Sequence, residues 1–279
     1  MAGVRDEDDS AGRQIMRAAL DRADVELGGR LLAAFAIGSL AHGGFVPQAS
    51  DVDLALIVDR VDESARAAIR AAAEEAKRGF AGSAHEELAG RLSIFWSDWE
   101  HLARNEEAGR FPAVDRFDLL DSGVLLRGID RRPECTRPTR LDLFVNSATF
   151  AVTRFGDADY QRMIHDPYGL ARRGRVAVTK AVLFPVRLLY TAATGRPGRN
   201  DDAIAWYVAR PRISDVLVTA AARWRAYGLD DSVGDLLHRW LVPLYRDCVE
   251  RLGGEAANLG RPDLVAKLSS LHRGLSGEG

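Results

Sequence analysis

Apolar residues run together at Leu32–Ile37 (LAAFAI), stop at Gly38-Ser39, and resume at Leu54–Val58 just after Asp51 and Asp53. Short apolar runs bounded by glycine and charge predict buried strands near 32–37 and 51–58. His42-Gly43-Gly44 and Pro47 make the stretch between them a loop. Ahead of it, residues 14–29 place Ile15, Ala18, Ala19 and Val25 at helical spacing, ending near Gly28-Gly29. Behind it, Asp62, Glu63 and Ser64 open an Ala-rich helix to about Gly79, with Asp62 as N-cap. A third strand is predicted at Arg91–Trp96 (RLSIFW), then a helix through Arg104 capped by Ser97 or Asp98. A fourth short strand at Val124–Arg127 follows a helix around Leu119-Leu120.

The pattern changes near residue 131. Arg131-Arg132-Pro133 and Arg137-Pro138 read as a loop, because proline disfavours helix there. Beyond Thr139, helical spacing recurs near 140–155, 173–194, 201–208, 211–226, 232–252 and 261–273. Gly195, Pro197, Gly198, Gly228 and Gly253-Gly254 punctuate it. The expected class is α+β: a small mixed-sheet domain over residues 14–132, then an all-α helical bundle domain over 139–279. Residues 1–13, with Arg5 and the run Asp6, Glu7, Asp8, Asp9, read as an acidic disordered tail.

Composition narrows the classes. With 279 residues, 47% of them apolar, the chain can fill two cores. Its net charge is −2 and it carries no Lys/Arg-rich stripe, which argues against a nucleic-acid backbone as partner. Cys135 and Cys248 are far apart and match no metal or redox spacing. Read for unbroken apolar length, the chain predicts no membrane span. Its charged start lacks the pattern of a signal peptide, so a cytoplasmic protein is expected.

The chemistry concentrates in residues 36–58, AIGSLAHGGFVPQASDVDLALIV. Side chains alternate along a strand, so Asp51-x-Asp53 puts two carboxylates on one face. They repel each other unless a cation neutralises them. Mg2+ suits such a pair, because it accepts oxygen ligands and keeps positions open for phosphates. The Gly38-Ser39 turn, feeding a short helix, can point N–H groups at the end of a triphosphate.

Gly-Ser, a spacer, then Ser50-Asp51-x-Asp53-Leu54 and an apolar run resembles the signature of the nucleotidyltransferase superfamily with the polymerase-beta-like fold. The resemblance implies that residues 14–132 form its catalytic domain. It also implies Mg2+-dependent transfer of a nucleoside monophosphate, AMP from ATP for the aminoglycoside-modifying members, with pyrophosphate released. On this reading Asp51 and Asp53 hold Mg2+ and act in catalysis, while Gly38 and Ser39 bind the nucleotide phosphates. A second stretch, Arg187-x-x-Tyr190-Thr191-x-x-Thr194-Gly195 followed by Ala203 and Trp206, is similar to the helical domain of the streptomycin/spectinomycin adenylyltransferases. The implied partners are a nucleoside triphosphate and a small-molecule acceptor with hydroxyl groups, cationic if aminoglycoside-like.

One position departs from the pattern. The superfamily supplies a third carboxylate on or near the next core strand, where this chain has Ser93. Serine is neither an acidic ligand nor a general base at neutral pH. Asp98 follows that strand directly and is the favoured substitute, although it is also placed to cap the next helix. Glu86, Glu87, Asp118, Asp121 and Asp142 are further candidates. Arg91, Arg127 and Lys180 are available cations, and His42 and His101 are available bases. Trp96 and Trp99 offer ring faces. For a cationic acceptor the second half offers Asp142, Asp157, Asp159, Asp166, Asp201 and Asp202 with Tyr160, Tyr190 and Trp206. Two other functions stay open: modification of a protein, as in antitoxin-type nucleotidyltransferases, and nucleotide binding without turnover.

Overall fold

The computed structural model describes residues 2–210 and 212–275, leaving aside the side chains of residues 2–10. The disordered tail expected over residues 1–13 is corrected: the backbone is helical from Ala2, and Ala11 is buried in the core. The chain divides into two compact units, Met1–Pro138 and Thr139–Gly279. The class is α+β.

The first unit runs α1 (Ala2–Leu27), β1 (Leu31–Ile37), α2 (Ser39–His42), β2 (Val52–Val58), α3 (Glu63–Arg78), α4 (Glu86–Gly90), β3 (Leu92–Asp98), α5 (Trp99–Ala103), α6 (Ala113–Ser122) and β4 (Val124–Gly128). Its four strands lie in the order β3-β2-β1-β4. β1 is antiparallel to both β2 and β4, and β2 is parallel to β3, so the sheet is mixed. Alternation divides the side chains between two cores. Ala34, Ala36, Leu54 and Leu56 pack with Ile15, Ala19, Ile69 and Ala72 of α1 and α3. Phe35, Ile37, Ala55 and Ile57 face the other way, onto Trp99, Leu102, Phe111 and Leu119. The N-cap expected at Asp62 is present: its side chain accepts the Ala65 amide at 2.8 Å.

The second unit is helical throughout its described residues: α7 (Arg140–Phe155), α8 (Ala158–His165), α9 (Pro167–Arg172), α10 (Gly174–Thr194), α11 (Asn200–Val208), α12 (Asp215–Tyr227), α13 (Val233–Asn258) and α14 (Pro262–Leu275). At its centre Tyr245 donates to the Ala181 carbonyl at 2.7 Å. That spends the Tyr245 proton, so Tyr160 is the donor in the 2.7 Å contact between the two hydroxyls. α10 corrects one expectation. With 21 residues it is long and apolar enough to cross a membrane. More than half of its apolar window is buried, however, and Val178, Val182, Val186 and Leu189 belong to the helical core.

Candidate functional site

Strand register builds the site. Ile37, the last residue of β1, pairs with Asp53, and Asp53 pairs on its other side with Ser93 of β3. Asp53 therefore stands two residues before Ala55 on the Phe35–Ile37 face, at the end of the sheet where β1 turns into α2. β2 begins at Val52, so Asp51 lies at the mouth of the strand. Loop residues 43–51 are held by hydrogen bonds around Val46. Its carbonyl accepts the amides of Ala49 and Ser50, and its own amide donates to the Ser50 hydroxyl at 3.0 Å. Arg91 ties the loop to β3 by donating to the Pro47 carbonyl. Burial lowers the Arg91 pKa, and the nearby Glu87 and Asp51 carboxylates oppose that shift. The Arg91 Nε and Nη1 are buried without a hydrogen-bond partner.

Gly38 is constrained on both sides. Its φ is +66°, a region that side chains resist. A Cβ there would lie 2.5 Å from Asp53 Oδ2. Only glycine lets this backbone sit so close to the carboxylate. Its carbonyl accepts the amides of Ala41 and His42, starting α2 with Ser39 as the first helical residue. The Gly38 amide donates to Asp118 Oδ2 at 2.7 Å. One N–H of the turn expected to face a phosphate is thus engaged by a carboxylate from α6.

The structure brings Gly38, Ser39 and Asp53 together, with Asp51 at the same end, and adds Asp118. It does not bring Asp98. In the parallel register Asp98 pairs with Val58, five residues beyond the Asp53–Ser93 pair, or about 16 Å along the strand. The expectation that Asp98 supplies the third carboxylate is corrected on that ground. Its side chain accepts the amides of His101 at 2.9 Å and Val61 at 3.2 Å, and meets His101 Nδ1 at 2.8 Å. Asp98 caps α5, and His101 is engaged with it.

Several other expectations resolve into structural roles. Asp142 and Thr139 form a reciprocal capping box at the start of α7. Asp157 and Asp166 cap α8 and α9, and Asp159 pairs with Arg162. Asp201 and Asp202 are exposed in the first turn of α11. Trp96 and Trp99 are buried in opposite cores of the sheet, so neither ring face is open. Arg127 pairs with Asp24 and Asp121 with Arg137. Glu86 accepts the Gly82 amide. The Arg187–Trp206 stretch packs locally: Arg187 donates to the Gly198 carbonyl at 2.5 Å, and Tyr190 meets Trp206 edge-on at 6.0 Å.

Asp118, named from the sequence only as one further candidate behind the favoured Asp98, is the acid that the fold brings to the Gly38 turn. The contact spans 80 residues, which no local pattern reports. The available signal was the pairing of Asp118 with Ser122 one helical turn later, beside the buried Leu119. For a metal, the donors at this end are hard carboxylate oxygens, and Mg2+ takes one or two of these with substrate phosphates completing its shell. Asp51 and Asp53 fit that set. Among the described residues, no group of three or more His, Cys, Asp or Glu forms a ready-made cage.

No protein-family model matches the chain, and no curated protein matches it. A likeness is found among solved structures. The spectinomycin adenyltransferase AAD(9) from Enterococcus faecialis, crystallised with ATP and spectinomycin, aligns with a TM-score of 0.57 at 13% identity, over 85% of this chain and 98% of that one. This chain has a fold similar to that of a spectinomycin adenyltransferase.

Proposed function

We propose that the protein is a Mg2+-dependent nucleotidyltransferase that moves AMP from ATP onto a hydroxyl of a small, aminoglycoside-like acceptor and releases pyrophosphate. The observation that carries this reading is the fit between Gly38 and Asp53. A positive-φ glycine, closed to any Cβ by a carboxylate at 2.5 Å, turns β1 into α2 beside the Asp51-x-Asp53 pair. The same fold occurs in an adenyltransferase solved with ATP and spectinomycin, which supports this choice of co-substrate and acceptor class.

Asp51 and Asp53 would hold the metal, which when bound neutralises charge on the phosphate oxygens as pyrophosphate departs. Gly38 gives Asp53 its room, and Ser39 presents its hydroxyl at the same turn to the phosphate end of the nucleotide. In the reaction the acceptor hydroxyl gives up its proton to solvent, its oxygen bonds the α-phosphorus, and the bond from that phosphorus to pyrophosphate breaks. Ser93 takes no acid or base role. Its place beside Asp53 favours one second reading, nucleotide binding without turnover.

Pyrophosphate release from ATP and Mg2+, measured across aminoglycosides and related aminocyclitols, separates the two. Acceptor-dependent release that falls at least about a hundredfold in Asp51→Asn is the expected result. Cation-dependent ATP binding with no release under any acceptor would move the assignment to the non-catalytic reading. Undiminished cation-dependent binding in both Asp51→Asn and Asp53→Asn would remove the pair from the site.

A further inference from the structure

Asp118 is 8% exposed and lies on α6 next to Leu119, which is buried against Phe35 and Ile37. That packing fixes where the Asp118 side chain points. Its Oδ2 accepts the Gly38 amide at 2.7 Å, and its Oδ1 accepts the Ser122 hydroxyl at 2.9 Å. Asp53 Oδ2 stands against the same glycine, where a Cβ would approach it to 2.5 Å. Two carboxylates, one from β2 and one from α6, therefore close on a single backbone residue. At this level β3 contributes only the Ser93 hydroxyl.

This arrangement has an electrostatic consequence. A triphosphate arriving at the turn meets the Asp118 carboxylate as well as the Asp51 and Asp53 pair. Like charges a few ångströms apart in a partly buried site oppose binding strongly. A divalent cation, which Asp51 and Asp53 would hold, would reverse the sign, because the Asp118 charge would then favour the ion that neutralises the phosphates. We propose that Asp118 is a positioning residue of this site, holding the Gly38–Ser39 turn against Asp53 and making triphosphate binding conditional on a divalent cation. The proposal rests on the nucleotide-binding reading of the turn.

The test is ATP affinity of the full chain by calorimetry, in Mg2+ and in EDTA, for the wild type, Asp118→Asn, Asp118→Ala and Asp51→Asn. Asn keeps an oxygen that can accept the Gly38 amide and removes the charge. Asp118→Asn is expected to bind cation-free ATP more tightly, narrowing the ratio of Mg2+ to EDTA affinities by about tenfold. Its affinity in Mg2+ should fall no more than about threefold. Asp118→Ala, which also loses the acceptor, should weaken binding in Mg2+ further. A purely structural role predicts equal weakening in both conditions, and that result, or an unchanged ratio, overturns the proposal. Asp118→Ser keeps an acceptor without charge and carries the same expectation if the Asn variant fails to fold. Wild type that binds no ATP in either condition rejects both the function and this role. A normal wild-type ratio that collapses in Asp51→Asn but not in Asp118→Asn rejects the role of Asp118 alone.

Discussion

Asp98 and Asp118 are both buried carboxylates of the same unit, and each accepts a backbone amide from a distant segment. Asp98 sits at the C-terminal end of β3 and satisfies donors that belong to the fold: the amides of His101 and Val61. Asp118 sits on a helix and satisfies Gly38, whose other neighbour is Asp53. Position in the register decides between them. Five residues of parallel strand separate Asp98 from the Asp53–Ser93 level, while α6 delivers Asp118 to that level from outside the sheet. Closeness along the chain to a core strand is thus a poor guide to which acid reaches a site.

The largest effect expected from this contrast comes from the glycine that the site end shares. Gly38→Val must relieve both a left-handed φ and a contact with Asp53. It should cost about 1–3 kcal/mol of stability. Displacing Asp53 should lower Mg2+-dependent ATP affinity at least about a hundredfold, a loss of roughly 2.7 kcal/mol. Chemical unfolding and calorimetry on one preparation read both quantities. A folded Gly38→Val variant with undiminished affinity would dissociate the turn from nucleotide binding.

Asp98→Ala should do the reverse, lowering stability and leaving the site intact. Removing a helix cap costs about 1 kcal/mol, and the unpaired Val61 amide adds to that. ATP affinity should stay within about twofold of wild type, as for any site remote from the ligand. The pH dependence is specific. Burial pushes the Asp98 carboxyl up, but hydrogen bonds from the His101 amide and ring and the Val61 amide outweigh it, and the net shift is downward. A carboxyl depressed in the folded state adds stability above its unfolded pKa of about 3.9 and loses it as pH falls through the folded value. The gap between wild type and Asp98→Ala should therefore be full at pH 7 and shrink below about pH 4. A gap that is constant from pH 7 to pH 3 would mean that the cap works without its charge.

Much of the first unit is legible in the chain because its signals are local. LAAFAI and LALIV are the right length for buried strands, and Asp62 announces α3. The helix capped by Asp98 is equally local. Three short helices, α4, α8 and α9, escape a periodic reading because each is too brief to repeat a face. α13 runs through Gly253-Gly254, where a helix end is expected. Leu252 and Ala256 keep its buried face continuous, and that packing outweighs the cost of two glycines. Within the site, Gly38, Ser39, Asp51 and Asp53 lie in one readable stretch. Asp118 is set by tertiary packing of α6 and is invisible to spacing.

The smallest expected effect tests whether β3 can be given the acid it lacks. Ser93→Asp places a carboxylate directly beside Asp53 in the parallel register, on the face that Asp53 already uses. Like charges on adjacent strands cost about 0.2–1 kcal/mol, so the variant should melt a few degrees lower in EDTA. A third carboxylate at that level should also draw a divalent cation more strongly. Mg2+ is then expected to raise the melting temperature more in Ser93→Asp than in wild type, recovering most of the loss. Combining Ser93→Asp with Asp118→Asn sharpens the comparison further, because it moves one negative charge from α6 to β3 at constant net charge. If the double variant regains the wild-type ratio of Mg2+ to EDTA affinities, charge at this end of the sheet is what matters. If the ratio stays narrow, a negative charge at Asp118 itself is the specific requirement, because Asp118→Asn keeps an acceptor for the Gly38 amide and a carboxylate on β3 does not replace the lost charge.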